Sequence, residues 1–313
     1  MPIALIPSFV APNAPDVIGY GDLADPADEL IERCGFFVPH YLGPAPNSHL
    51  MARMPLLERT QLLTAGFEAA LPFLPAGVLL SNAVGVHDAA TSELAIGLIL
   101  ASLRGIDTAA RAMATGTWLH SHHVSLADRS VLILGAGGVG SALARRLEGF
   151  EAAVTLVGRT RRNTAAGGRP ASEGDPGIVA GISELQDLLP NADIVVLAVP
   201  LTDDTRGLVD AGFLGQMRDG SLLVNVSRGP VVKTDDLVAQ LRSGRIRAAL
   251  DVTDPEPLPS DHPLWRCPNV LITGHLGGNT SSFPPRALSL LTEQLRRWRA
   301  GEPALHVVAG EPT

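Results

Sequence analysis

The 313-residue chain contains little cysteine. Its two cysteines, Cys34 and Cys267, lie far apart and belong to no C-x-x-C motif. This spacing argues against a structural disulfide and against a zinc site, so no metal is expected. Scarce, dispersed cysteine is typical of a reducing compartment, and we expect a cytoplasmic protein.

The chain also lacks a long apolar run and an excess of basic residues. The longest apolar stretch, residues 94–103, is too short to span a bilayer and is followed by Arg104. The N-terminal MPIALIPSFV has no basic residue before its apolar positions, which favours a first strand over a signal peptide. The net charge of −8 disfavours non-specific binding of nucleic acid. We therefore expect a soluble protein with neither a membrane nor a nucleic-acid partner.

A glycine-rich turn is the most informative motif in the chain. Residues 131–140 read VLILGAGGVG, an apolar run that leads into Gly135, Gly137 and Gly140, and a helix-like stretch follows. In a G-x-G-x-x-G turn, the first glycine permits the tight turn, the second lets phosphates approach the backbone, and the third lets the helix pack closely. The helix N-terminus adds partial positive charge. This arrangement predicts a site for a dinucleotide.

The strand after this helix ends without the acidic residue that normally binds the ribose of NAD. The strand, VTLVG, ends at Gly158 and is followed by Arg159, Thr160, Arg161 and Arg162. The missing carboxylate leaves room for a 2′-phosphate, and the arginines supply positive charge to bind it. The sequence therefore predicts NADP as the preferred cofactor, with NAD as the alternative.

Short apolar runs alternate with helical patterns along the chain. Apolar runs at 3–7 and 36–40 flank a helical pattern over 24–35, and the alternation resumes at the glycine turn. Such alternation predicts an α/β fold with doubly wound parallel sheets. The stretch 163–177, rich in glycine, proline and alanine, predicts a surface loop.

The length of the chain is sufficient for two domains, and we expect both to be Rossmann-like. A helical pattern near the C-terminus is expected to pack on the first domain, which makes that domain discontinuous. We predict a first domain of residues 1–101 and 286–313, and a dinucleotide-binding domain of residues 102–285.

Three polar residues follow three predicted strands of the dinucleotide-binding domain. Arg228 follows SLLVNVS, Glu256 lies in the turn after IRAALDV, and His275 follows VLITG. An arginine can bind a carboxylate through two parallel hydrogen bonds, and a histidine can donate a proton to a carbonyl oxygen that is being reduced. A glutamate on the far ring nitrogen would orient the histidine and favour its charged form. Together the three residues predict the reduction of a keto acid by hydride transfer.

The chain resembles the D-isomer-specific 2-hydroxyacid dehydrogenase family, and within it the NADP-dependent glyoxylate and hydroxypyruvate reductases. The resemblance rests on VLILGAGGVG, DIVVLAVPLTDDTRGLVD, GSLLVNVSRGPVV, AALDVTDPEPLPSDHPLW and NVLITGHLGG. It implies that Arg228, Glu256 and His275 are catalytic and that the turn at Ala65 and Gly66 binds the substrate carboxylate. It also implies a small 2-keto acid substrate, a discontinuous substrate domain and a homodimer built through the cofactor domains.

The glycine motif and the resemblance together define an expected set of cofactor-binding residues. These residues are Gly135, Gly137, Gly138, Val139, Gly140, Arg159, Thr160, Arg161, Val199, Pro200, Thr205, Val226, Ser227, Asp251 and Gly277.

Two other functions remain compatible with the sequence. One is an NAD-dependent dehydrogenase of another 2-hydroxy acid, and another is a binding protein that senses NAD(P) with the same fold. A short-chain dehydrogenase is disfavoured, because neither Tyr20 nor Tyr41 has a lysine four residues later. A metal site at His120, His122 and His123 is less favoured than a solvated loop, because no acidic residue is nearby in the sequence.

Overall fold

The computed structural model of the chain describes residues 2–21, 24–41, 47–163 and 177–310. The chain divides into two compact units, Met1–His87 with Asn279–Thr313, and Asp88–Gly278. Both boundaries fall earlier in the chain than the predicted boundaries after residues 101 and 285. The loop predicted over 163–177 lies, apart from its two end residues, outside the described residues.

Strands and helices alternate through both units. The strands are β1 (Ile3–Pro7), β2 (Val17–Tyr20), β3 (Cys34–Phe37), β4 (Arg59–Gln61), β5 (Leu79–Ser81), β6 (Ser130–Leu134), β7 (Ala153–Gly158), β8 (Arg162–Asn163), β9 (Ile178–Gly181), β10 (Ile194–Leu197), β11 (Leu222–Asn225), β12 (Arg247–Leu250), β13 (Val270–Ile272) and β14 (Val307–Ala309). The α-helices are α1 (Asp28–Ile31), α2 (Asp88–Arg104), α3 (Ile106–Met113), α4 (Gly138–Leu147), α5 (Leu185–Leu188), α6 (Ala211–Gln216), α7 (Thr234–Arg242) and α8 (Phe283–Arg299).

The first unit is built on a six-stranded sheet in the order β14-β5-β4-β3-β1-β2. Its strands are parallel except β14, which pairs antiparallel to β5. The long helix predicted over 24–35 is wrong: α1 has only four residues, and its last predicted turn is part of β3. Pro26 precedes α1. All four residues of β3 are buried, so strand pairing outweighs helix propensity at the end of the predicted helix.

Helix α8 completes the first unit. Phe283, Ala287, Leu291 and Leu295 recur every fourth residue, and they pack in one buried cluster with residues of β1 and β3. The buried Gln294 on the same helix donates from Nε2 to Gln61 Oε1 of β4 at 2.5 Å. Apolar packing and this buried amide pair attach the C-terminal helix to the first sheet.

The second unit is built on an eight-stranded sheet in the order β13-β12-β11-β10-β6-β7-β9-β8. All neighbours are parallel except β8, which pairs antiparallel to β9. Strands β10 and β11 are buried at every position, as expected for a sheet covered on both faces. The strand order reverses between β6 and β10, and in such sheets the ligand crevice lies there, beyond the carboxyl ends of the strands.

Helix α2 belongs entirely to the second unit. Its apolar side chains, including Leu98 and Ile99, share a buried cluster with Val131 and Ile133 of β6 and with Leu143 of α4. This packing explains why the boundary between the units precedes the helix instead of falling within it. Among the described residues no single helix is long and apolar enough to cross a membrane, and α2 and α3 reach that length and composition only as a pair bent by 73°.

Candidate active site

The glycine turn lies between β6 and α4, and α4 begins at Gly138. A Cβ at Gly135, whose φ is +115°, would lie 2.3 Å from the carbonyl oxygen of Ala198, which follows β10. A Cβ at Gly140 would lie 1.8 Å from the carbonyl oxygen of Gly135. Gly137 has no atom within 4 Å of its Cβ position, so the main chain there is open to an approaching ligand. Close packing therefore requires glycine at positions 135 and 140, and Gly137 leaves the space that a pyrophosphate needs.

The basic segment after β7, residues 159–162, is exposed, and its arginines have different partners. Arg161, an expected cofactor residue, forms an ion pair with Glu184, whose Oε1 also accepts from the Gly181 N–H at 2.8 Å. Arg162 was not in the expected set, yet its Nη2 donates to the Ala136 carbonyl of the glycine turn at 3.4 Å. Arg161 is therefore held by a partner, whereas the guanidinium of Arg162 lies beside the turn.

Gly158 explains how Arg162 reaches this position. A Cβ at residue 158 would lie 2.8 Å from Nη1 of Arg162 and 3.0 Å from Cγ1 of Val179. The guanidinium therefore occupies the space that a longer residue would fill at the end of β7. Arg159 is exposed and forms no ion pair with any residue that the structure describes. Two cations, Arg159 and Arg162, are thus available next to the glycine turn.

Five other expected cofactor residues, Val199, Pro200, Thr205, Val226 and Ser227, lie on loops that follow β10 and β11. Thr205 Oγ1 donates to the Pro200 carbonyl at 2.7 Å and accepts from the Thr202 N–H at 2.8 Å, so the loop after β10 is bound to itself. After β11, Val226 and Ser227 are buried. Both loops lie at the carboxyl edge of the sheet, where a cofactor crevice is expected; the loop after β10 follows the strand next to β6, and the loop after β11 follows the next strand along.

Arg228 is positioned by Asn225, a residue that the sequence did not single out. The Asn225 side chain is 1% exposed; its Oδ1 accepts from Ser227 N–H at 3.0 Å and its Nδ2 donates to the Arg228 carbonyl at 3.1 Å. The next residue, Gly229, approaches the following loop so closely that a Cβ would lie 1.8 Å from the Thr253 carbonyl oxygen. These contacts hold the backbone of Arg228 next to the loop that carries Glu256.

His275 is positioned by Asp251, which follows β12. The Asp251 carboxylate is buried and accepts from Thr273 Oγ1 at 2.6 Å, Leu276 N–H at 2.8 Å and Gly277 N–H at 3.0 Å. The Asp251 carbonyl accepts from the His275 N–H at 2.8 Å. His275 itself has a left-handed backbone with φ of 56°. The carboxylate expected to bind cofactor therefore also organises the turn that presents the histidine.

His275 and Glu256 form a direct pair. The Nδ1–H of His275 donates to Glu256 Oε1 at 2.5 Å, and the two side chains are 47% and 41% exposed. The pKa of Glu256 lies below its ordinary value of 4.5, first because of this hydrogen bond; partial burial opposes the shift, and the charge of Arg228 adds to it. The three residues therefore act on one another, and the Nε2 atom of His275 remains for another partner.

The expected carboxylate-binding turn lies in the first unit. The carbonyl of Ala65 accepts from Asn82 Nδ2 at 2.7 Å, and the carbonyl of Gly66 accepts from Thr64 Oγ1 at 2.6 Å. Neither backbone N–H donates to another described residue. The carbonyls of this turn are thus fixed, and its N–H groups are available to an anion.

The histidines considered as metal ligands do not form a metal site in the described part of the chain, where no three His, Cys, Asp or Glu side chains are arranged to hold an ion. His122 and His123 line a cavity of about 400 Å³ together with Arg104, whose positive charge opposes a metal cation. The ring of His123 lies against Gly105 and forms a hydrogen bond with the Ser121 hydroxyl.

Comparison with known proteins agrees with this geometry. The model of the D-isomer specific 2-hydroxyacid dehydrogenase NAD-binding domain matches residues 96–277. The chain is 35% identical to human glyoxylate reductase/hydroxypyruvate reductase over 219 residues, which cover 68% of this chain and 64% of the human protein. It is 33% identical to glyoxylate/hydroxypyruvate reductase B of Citrobacter koseri over 75% of this chain and 72% of that protein. The aligned part thus spans just under two thirds of the human relative.

Solved structures show the same similarity. A D-isomer specific 2-hydroxyacid dehydrogenase from Xanthobacter autotrophicus, crystallised with NADPH and MES, matches with a TM-score of 0.73 and 34% identity, covering 89% of this chain and 84% of that one. A family protein from Aeromonas salmonicida matches with a TM-score of 0.81 and 28% identity, covering 95% and 92%. These findings confirm the predicted fold class, the family and a nicotinamide cofactor. The chain belongs to the D-isomer specific 2-hydroxyacid dehydrogenase family and is an NAD(P)-dependent oxidoreductase.

Proposed function

We propose that this protein reduces a small 2-keto acid of the glyoxylate or hydroxypyruvate class, with NADPH as the preferred reductant. The observation that carries the proposal is the 2.5 Å hydrogen bond between His275 and Glu256, with Arg228 close enough for its charge to lower the pKa of Glu256. An acid, its orienting carboxylate and a carboxylate-binding cation are the groups that keto-acid reduction requires.

Each of the three residues has a separate role. His275 donates a proton from Nε2 to the keto oxygen, because Nδ1 is engaged by Glu256. Glu256 orients the ring and stabilises its charged form. Arg228 binds the substrate carboxylate, and the N–H groups of Ala65 and Gly66 remain predicted donors to the same carboxylate. When bound, the nicotinamide supplies the hydride.

The preference for NADPH is supported by the segment after β7. Gly158 provides no carboxylate to repel a 2′-phosphate, and the guanidinium of Arg162 occupies the space that such a residue would fill. Arg159 is exposed next to it. Loss of one charge-assisted contact costs about 1.5–3 kcal/mol, or roughly 10- to 150-fold in the ratio of kcat/KM for NADPH over NADH.

The cofactor proposal is tested by Arg159→Ala, Arg162→Ala and the double variant. We expect a reduced NADPH/NADH ratio in the variants, with the greatest loss in the double one. Arg161→Ala is the matched control, because Glu184 already binds that guanidinium. An unchanged ratio in the double variant would remove this segment as the origin of the preference.

The substrate is tested by following NADPH and NADH absorbance with glyoxylate, hydroxypyruvate, pyruvate and 3-phosphohydroxypyruvate. The last compound is included because the chain is 29% identical to a D-3-phosphoglycerate dehydrogenase of Methanocaldococcus jannaschii, of which it covers only 43%. We expect glyoxylate and hydroxypyruvate to give the highest kcat/KM. Binding of NADPH without reduction of any keto acid between about pH 5 and 9 would instead support a cofactor-sensing protein.

A further inference from the structure

The glycine turn contains a fourth glycine, Gly138, that the dinucleotide motif does not require. A Cβ at this residue would lie 2.0 Å from Oδ2 of Asp88 and 2.5 Å from its Cγ. The carboxylate of Asp88 therefore lies directly against the main chain at the first residue of α4. Any side chain at position 138 would need the space that this carboxylate occupies.

Helix packing holds Asp88 in this position. Asp88 is the first residue of α2, and α2 packs along α4 through a buried cluster that includes Leu98 and Leu143. Helix α4 has no acidic residue in its own first turn. A negative charge is thus placed at the start of α4 by a neighbouring helix, and the absence of a side chain at Gly138 makes room for it.

This charge lies where the proposed cofactor would place its own charges. The first turn of a helix has N–H groups without helical partners and a partial positive charge, which stabilises the Asp88 carboxylate. The same turn is where the pyrophosphate of a dinucleotide binds in this type of fold. Asp88 is half-buried, so solvent and salt screen its charge less than that of a surface carboxylate.

We propose that Asp88 sets the affinity for the dinucleotide by opposing the pyrophosphate at the N-terminus of α4. The inference rests on the proposed function, since it assumes that a dinucleotide binds there. Asp88 repels the oxidised and the reduced cofactor alike, because both contain the same pyrophosphate. It therefore weakens the binding of both forms and speeds their release.

The test is the dissociation constant of NADPH and of NADP⁺ for the wild type and for Asp88→Asn, measured by calorimetry. Asparagine keeps the shape and removes the charge. We expect binding of both forms to tighten by about three- to tenfold, which corresponds to roughly 0.7–1.4 kcal/mol. The gain should shrink as the salt concentration rises. Glu93→Gln removes a charge from an exposed position on the same helix and should leave both constants unchanged.

A second measurement tests the contact itself. Gly138→Ala should lower the melting temperature of the wild type, because the new Cβ meets the Asp88 carboxylate. Gly138→Ala should lower the melting temperature by less in an Asp88→Gly background, where that carboxylate is absent. Equal losses in the two backgrounds would overturn the inferred contact.

The outcomes separate this inference from the proposed function. If the wild type binds NADPH and Asp88→Asn binds it equally or more weakly, the role of Asp88 is refuted and the reductase proposal stands. If the wild type binds neither NADPH nor NADH, both are refuted.

Discussion

Replacing Asp251 with asparagine is expected to loosen the turn that presents His275. Three hydrogen bonds converge on the Asp251 carboxylate, and a fourth joins its carbonyl to the His275 N–H. The left-handed backbone of His275 costs about 1–2 kcal/mol for a residue with a side chain. The bonds to Asp251 offset that cost, so the position of His275 depends on a buried residue outside the proposed catalytic set.

The size of the effect follows from these contacts. Asparagine keeps one side-chain oxygen, which can still accept. Its NH₂ group replaces the other oxygen and therefore points a donor at an N–H or O–H donor of the turn. One or two charge-assisted bonds are lost at about 1.5–3 kcal/mol each, so we expect the free energy of unfolding to fall by roughly 1.5–6 kcal/mol. A displacement of His275 by about 1 Å should lower kcat by up to about 100-fold.

The assay combines urea unfolding with steady-state kinetics. Thr273→Val removes only the 2.6 Å hydrogen bond to Asp251, so it should lower the free energy of unfolding by less than Asp251→Asn does. Thr273→Ser keeps the hydroxyl and should retain most of the wild-type stability. Asp261→Asn, at an exposed position after the same strand, is the matched control. An Asp251→Asn protein with wild-type unfolding free energy and wild-type kcat would refute the role of Asp251 in positioning His275. A variant altered only in NADPH affinity would leave Asp251 with its predicted cofactor role alone.

The remaining predictions concern the proposed catalytic pair, the substrate carboxylate and the oligomer. Glu256→Gln should move the pH at which reductive kcat/KM halves to a lower value, since an amide orients the ring of His275 without stabilising its charge; an unshifted profile would contradict this. Because the pKa of Glu256 is lowered below 4.5, the pair stabilises the fold above that pH and its contribution is lost as the pH falls through the lowered pKa, which urea unfolding of wild type and variant at several pH values would measure. Both side chains are nearly half exposed, so that contribution should not exceed about 1 kcal/mol. Arg228→Lys keeps the charge but loses the two-bond geometry, so KM for glyoxylate should rise by about tenfold or more with little change in NADPH affinity; an unaltered KM would remove Arg228 from the substrate site. The homodimer stays a prediction, and the exposed Met113 and Trp118, at 80% and 91%, offer its test: Met113→Glu with Trp118→Ser should shift the mass in light scattering towards the monomer, and an unchanged mass would place the interface elsewhere.

Features that depend on local sequence could be predicted well. The turn at Gly135 indicates a dinucleotide because its glycine spacing is combined with a short apolar strand before it, a helix after it and a second strand at the right distance. Residues that follow consecutive strands, such as Arg228 and His275, could be assigned to one edge because parallel strands end together. The registers bear this out, since Asn225, Leu250 and Ile272 are paired across β11, β12 and β13.

Features that depend on spatial neighbours could not be predicted. Asp251 was expected only as a cofactor residue, because its bonds to Leu276 and Gly277 join the ends of two different strands. Asn225 bonds to Ser227 and Arg228, close in the sequence, but no motif marks it. Arg161 and Arg162 are adjacent in the sequence, but one pairs with Glu184 and the other contacts the glycine turn. That difference arises because β8 runs back along β9, which no local pattern reveals.

The close fit between Gly158 and Arg162 also constrains how cofactor choice could evolve. Gly158→Asp would introduce the carboxylate that favours NAD, but its Cβ would lie 2.8 Å from the Arg162 guanidinium. The two charges would pair with each other, so this intermediate would lose affinity for NADPH before gaining it for NADH. If NADPH is the preferred cofactor, as proposed, a lineage that changes cofactor at this site would keep more activity along the path by replacing Arg162 before Gly158.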